Sequence, residues 1–150
     1  MTTTESTQTH FIELTHNVPV TRERVFRAFT EPEELMKWWG PPGFTSPSAE
    51  IDLRVGGSYR FEMQAPDGDR LFVKGIFKEI EPPSKLVMTW AWEHTTMDRE
   101  ETLVTIEFAE KGTSTEIRLR HEGFADVEVA ERHNEGWVGC FSCLNESLAE

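Results

Sequence analysis

Basic residues are scarce in this 150-residue chain: 15 Lys and Arg stand against 27 Asp and Glu, a formal net charge of -12. Binding to a phosphate backbone needs Lys and Arg to displace counterions, so nucleic acid is excluded as a first partner. The same deficit disfavours docking on an anionic membrane. Cysteine is scarcer still. Cys140 and Cys143 are the only two, which is not the make-up of a secreted disulfide scaffold. No run of about 18 apolar residues exists to span a membrane. Met1–His10 is polar and Thr-rich, without the basic and apolar segments of a signal peptide. The expectations are a cytoplasmic address, a flexible tail over 1–9 and a single domain over 10–150.

Aromatic residues, by contrast, are plentiful: ten Phe, five Trp and one Tyr. Such a set suits a deep core or a lined cavity. A chain of this length buries about 68–70% of its unfolded surface, enough for a core without covalent staples.

Ile12 and Leu14 alternate with polar residues over Phe11–Val18, a strand that Pro19 stops. Thr21 reads as a helix N-cap before the stripe Val25, Phe26, Ala28 and Phe29. Pro32 opens a second short helix carrying Leu35, Met36, Trp38 and Trp39, and Gly40-Pro41-Pro42-Gly43 ends it. Six strands follow. Ala49–Arg54 puts Ile51 and Leu53 on one face, with Asp52 and Arg54 expected to pair across strands. Gly56-Gly57 reads as a hairpin turn, since it lacks the helix and Lys of a phosphate loop. Tyr59, Phe61 and Met63 alternate next, and Pro66-Asp67-Gly68-Asp69 turns the chain. The remaining strands are Leu71–Ile80, Leu86–Trp92, Thr102–Phe108 and Glu116–His121. Asp98-Arg99-Glu100-Glu101 reads as a solvated loop before the third of these.

From Asp126 the period changes. Val129, His133, Trp137, Cys140, Leu144 and Leu148 recur at helical spacing behind an Asp126 N-cap. Gly136 and Gly139 weaken that helix and clear space for a close neighbour. Strand, two short helices, six strands and one long helix make an α+β fold, β-α-α-β-β-β-β-β-β-α, with a curved antiparallel sheet of about seven strands wrapped on the long C-terminal helix. A single helix about 10–12 Å across cannot fill a broad concave sheet, so a pocket between the two is expected.

Several segments together carry a family resemblance. They are Val25-Phe26-Arg27-Ala28-Phe29-Thr30, Trp38-Trp39-Gly40-Pro41, Asp52-Leu53-Arg54-Val55-Gly56-Gly57-Ser58-Tyr59-Arg60-Phe61, Gly75-Ile76-Phe77-Lys78-Glu79-Ile80, Leu86-Val87-Met88-Thr89-Trp90, His121-Glu122-Gly123-Phe124 and Gly136-Trp137. In this order, over about residues 11–149, the chain resembles the homologues of the activator of heat-shock-protein-90 ATPase. These are a branch of the START-like, or helix-grip, superfamily that includes the Bet v allergens and polyketide cyclases. The resemblance implies a helix-grip fold and, from the wider superfamily, apolar ligands held between helix and sheet. It also implies a chaperone as partner, although this chain matches one domain of the longer co-chaperone.

Trp38, Trp39 and Phe44 flank the Gly/Pro loop. They form either the lip of a pocket or a core plug with its shield. Tyr59, Phe61, Met63, Met88, Trp90 and Trp92 face the long helix as cavity wall or plain core. The resemblance adds Phe77, where alternation also offers Ile76. His121, His133 and Trp137 complete the expected ligand-binding set. The two histidines read first as hydrogen-bonded structural groups. An acid–base pair with Glu122 or Glu135 is the rival. Metal ligation has no spacing to support it. Cys140-Phe141-Ser142-Cys143 lies deep inside a helix, unlike redox motifs that open one.

The expected function is binding of an apolar or amphipathic, lipid-like small molecule in a central cavity. No catalytic residue, metal or cofactor is assigned, and a monomer or homodimer is expected. One rival is stimulation of a heat-shock-protein-90-type ATPase. The other is a cyclase- or hydrolase-type enzyme using the same cavity.

Overall fold

A computed structural model describes residues 10–93 and 101–148. The tail expected over 1–9 and the loop at Asp98-Arg99-Glu100 lie outside the described residues.

Strand β1 (His10–Val18) leads into α1 (Arg22–Thr30) and α2 (Pro32–Leu35). Thr21 caps α1 by accepting from the Arg24 N–H, and Pro32 at the start of α2 supplies the fixed φ a first turn needs. Six strands follow: β2 (Ala49–Ile51), β3 (Ser58–Gln64), β4 (Arg70–Glu81), β5 (Lys85–Trp92), β6 (Thr102–Lys111) and β7 (Ser114–Phe124). The chain then enters α3 (Val127–Leu148). Asp126 starts that helix, its carboxylate accepting from the Glu128 N–H at 2.7 Å.

All seven strands form one antiparallel sheet in the order β1-β7-β6-β5-β4-β3-β2. A register shift between Phe77 and Glu79 bends β4 against β5. Alternation places Tyr59, Phe61, Val73, Phe77, Met88, Trp90, Val104, Ile106, Ile117 and Leu119 in the core. The long helix covers this face with His133, Trp137, Cys140, Phe141, Leu144 and Leu148, packing closest on β1. The outer face carries ion pairs such as Arg120–Glu13 and Arg60–Glu93, both 2.7 Å. Exposed pairs of this kind contribute about 0–1 kcal/mol each.

The β2 segment differs from its sequence pattern. The strand ends at Ile51, and Leu53 and Val55 are exposed. Asp52 and Arg54 pair with each other inside the turn at 2.9 Å rather than across strands. Gly57 permits this: a Cβ there would lie 2.2 Å from the Asp52 carbonyl oxygen, so only glycine lets the turn close this tightly. The second short helix is likewise brief, and Trp38 and Trp39 follow it in a turn. Among the described residues no helix is long and apolar enough to cross a membrane.

Candidate functional site

Helix α3 does not fill the concave sheet. Between its N-terminal half and strands β3, β4 and β5 lies a cavity of about 560 Å3, within the range of about 300–1,000 Å3 that takes a small organic ligand. The sheet contributes Met63, Leu71, Trp90 and Trp92. The helix contributes one stripe: Arg132, His133, Glu135, Gly136, Trp137 and Cys140. The loop after α2 closes one side with Trp39, Pro41 and Phe44.

That loop is fixed at both ends. Gly40 sits at φ 111°, the left-handed region that favours glycine. Thr45 exchanges two backbone hydrogen bonds with Gln64 of β3, at 3.0 and 2.7 Å. Its prolines rest on α3 at Gly139, where an added Cβ would come 3.1 Å from Pro42 and 3.3 Å from Pro41. Gly136, one turn earlier, faces open space and borders the cavity. The two helix glycines thus do different things.

Three indoles meet at the wall. Ring centroids are 5.8 Å apart for Trp39–Trp90, 5.7 Å for Trp39–Trp137 and 5.2 Å for Trp90–Trp137. Their polar edges differ. Trp137 Nε1–H donates to His121 Nδ1 at 3.1 Å, and Trp92 Nε1–H donates to His133 Nε2 at 2.8 Å. An indole can only donate, so the nitrogen it meets on each histidine accepts and the other one carries a proton. His121 Nε2–H therefore donates to Thr102 Oγ1 at 2.7 Å, and His133 Nδ1–H to the Val129 carbonyl at 2.9 Å. Burial, reinforced by His133, holds His121 well below the ordinary imidazole range. The indole nitrogens of Trp39 and Trp90, both buried, have no partner. A buried donor left unsatisfied costs about 1–3 kcal/mol.

This arrangement offers shape and apolar surface more readily than acid–base chemistry. Both ring nitrogens of His121 and His133 are engaged, and the one carboxylate among the described lining residues is Glu135, on the exposed side of α3. Among the described residues no cluster of three or more His, Cys, Asp or Glu could hold a metal ion. Burial pushes the Cys140 thiol up to about 12, and Cys143 is raised by the same cause.

Of the residues expected to line a cavity, Trp39, Phe44, Met63, Trp90, Trp92, His133 and Trp137 border this one. The other six lie outside its lining. Trp38 turns into the core beneath α1, its N–H donating to the Ala28 carbonyl at 3.0 Å with its ring against Phe29. Tyr59 donates its hydroxyl to the Thr89 carbonyl and packs between Phe61 and Phe77. Phe61 lies against Trp39, which stands between it and the helix stripe. Phe77 and Met88 pair across β4 and β5 within the core. His121 is fully buried against Trp90 and Trp137. Sequence reasoning missed Pro41, Leu71, Arg132, Glu135, Gly136 and Cys140 as lining. Helical spacing from His133 and Trp137 was the available signal for the last four.

The fold and most of the sequence have known counterparts. A protein of Chromobacterium violaceum shares 28% identity at a TM-score of 0.82, over 91% of this chain and 94% of that one. The AHSA1 protein from Silicibacter pomeroyi shares 29% identity at a TM-score of 0.82, covering 93% and 98%. A solution structure from Arthrobacter aurescens shares the fold at 21% identity and a TM-score of 0.79, covering 93% and 86%. No curated protein matches at a significant level. Residues 19–149 match the family described as activator of Hsp90 ATPase homolog 1-like protein, and the chain belongs to that family, with the helix-grip fold of the START-like superfamily.

Proposed function

We propose that this chain is a small-molecule binding protein that holds one apolar or amphipathic ligand between α3 and the sheet. The observation that carries this reading is the cavity of about 560 Å3 walled by Trp39, Trp90 and Trp137. Burying the apolar surface of a ligand there gains about 25 cal/mol per Å2. Both ring nitrogens of each histidine have partners, and burial holds His121 well below the ordinary imidazole range, which favours binding over acid–base catalysis. A reducing, cytoplasmic compartment suits the two free thiols.

Native mass spectrometry of freshly purified protein, with titration of the neutral fluorophore N-phenyl-1-naphthylamine, tests the proposal. One-to-one saturable binding, lost in Gly136→Leu, is expected. The leucine grows from a position with no heavy atom within 4 Å of its Cβ, so it fills the cavity and leaves the core intact. A protein that carries no retained molecule and does not bind the fluorophore is not a ligand carrier.

The family description supports a second reading, stimulation of a heat-shock-protein-90-type ATPase. A net charge of -12 would steer the domain to a basic patch on such a chaperone. Stimulation of the host chaperone's ATPase that weakens with salt supports this reading. No stimulation at low or high salt removes it.

A further inference from the structure

We infer that the cavity selects a ligand carrying a neutral hydrogen-bond acceptor, a ketone, ester or amide carbonyl, which the indole N–H groups of Trp39 and Trp90 take up. This inference rests on the cavity being a ligand site and adds the chemical class of what enters it.

Four tryptophans border or approach this wall with different outcomes. Trp92 and Trp137 spend their N–H groups on His133 and His121. Trp39 and Trp90 line the same cavity at 3% and 4% exposure, yet neither nitrogen meets a partner. Native folds seldom leave a buried N–H unsatisfied, and such a group asks for an explanation. Neighbouring ring faces offer weak N–H···π contacts, which are second-order beside a carbonyl acceptor. Each ring already forms cavity wall, but each nitrogen is closed off from solvent, so the ring must turn about χ2 to bring its N–H to an entering oxygen.

Charge sets the acceptor's kind. The charged lining residues, Arg132 and Glu135, are both solvent-exposed, whereas Trp39 and Trp90 are buried. A carboxylate buried there would lose its hydration without a counter-charge. A carbonyl oxygen has two lone pairs and serves both indoles at once without that cost.

The test compares 2-acetylnaphthalene with its isostere 2-isopropenylnaphthalene, in which the oxygen becomes a CH2. Both are titrated into wild type, Trp39→Phe and Trp90→Phe. The ratio of ketone to olefin affinity cancels the change of ring size. The ratio is expected to fall about fivefold or more in each variant. In wild type, the Trp39 and Trp90 indole N–H proton resonances should move downfield with the ketone and not with the olefin. An unchanged ratio, with both resonances responding alike to the two probes, overturns the inference and leaves cavity binding standing. Failure of both probes to bind wild type removes the cavity reading itself. Either variant decides alone if the other does not fold, and the wild-type resonances decide without them.

Discussion

Trp137 fixes the tautomer of His121: its indole N–H donates to His121 Nδ1 across 3.1 Å, and the ring is fully buried. Protonation at Nδ1 would put two donors face to face, beside a second imidazole 5.1 Å away. The folded protein therefore refuses a proton that the unfolded chain accepts.

Stability should follow that difference. Above pH about 6.5 the ring is neutral in both states. As pH falls below this value the unfolded chain takes up a proton and the folded one does not, so stability falls with a slope of up to about 1.4 kcal/mol per pH unit. Urea midpoints should drop between pH 7 and 5. Glu62, held below the usual carboxylate range by Arg70, contributes only at lower pH. A flat midpoint, or a His121 ring that titrates in NMR spectra like a free imidazole, contradicts this.

The two glycines of α3 should respond differently to alanine. At Gly136 nothing lies within 4 Å of the new Cβ. Gly136→Ala should add about 1 kcal/mol through helix propensity, raising Tm by about 2–4 °C. Gly139→Ala presses Pro41 and Pro42 and should forfeit that gain. Equal melting temperatures for the two variants would show that the loop does not rest firmly on the helix.

Gly75 should tolerate no side chain. A Cβ there would lie 2.0 Å from the Thr89 carbonyl oxygen and 2.7 Å from the Tyr59 ring. Gly75→Ala must move backbone as well as the ring, at a cost of about 3 kcal/mol or more. Denaturant unfolding measures it, and a loss under about 1 kcal/mol would mean that β4 and β5 adjust freely.

Thiol chemistry should be slow and ordered. Cys140 is buried with its thiol pushed up to about 12, so almost no thiolate exists at pH 8. Ellman's reagent should modify Cys143 first and Cys140 only on unfolding. Fast labelling of Cys140 in native Cys143→Ser would show that the cavity side of α3 opens readily.

The order of elements was legible because period reports burial. The spacing of His133, Trp137, Cys140, Leu144 and Leu148 marks one helix face, and all five are buried. The division of that core into cavity and solid packing was not legible. Trp38 and Trp39 are neighbours in a Gly/Pro context, yet one donates to Ala28 beneath α1 and the other borders the cavity. Tyr59 and Met63 share a strand face, but only Met63 reaches the uncovered end of the sheet. Alternation says which face a residue takes. It carries no information on how far along that face the helix extends, which the sheet's curvature and the helix's angle decide. The same limit applies to β2, where a tight turn that Gly57 permits ends a good alternating pattern.

The pairing of β1 with β7 has a bearing on how the chain reaches this state. His10–Val18 is synthesised about 100 residues before its partner Ser114–Phe124 and the helix that packs on it. Contacts this distant in sequence demand costly loop closure before they repay it, and they slow folding. On the ribosome the first strand must wait, its apolar side uncovered, until β7 and α3 have emerged. Folding of this domain is therefore a late, chain-closing event rather than growth from the N-terminus.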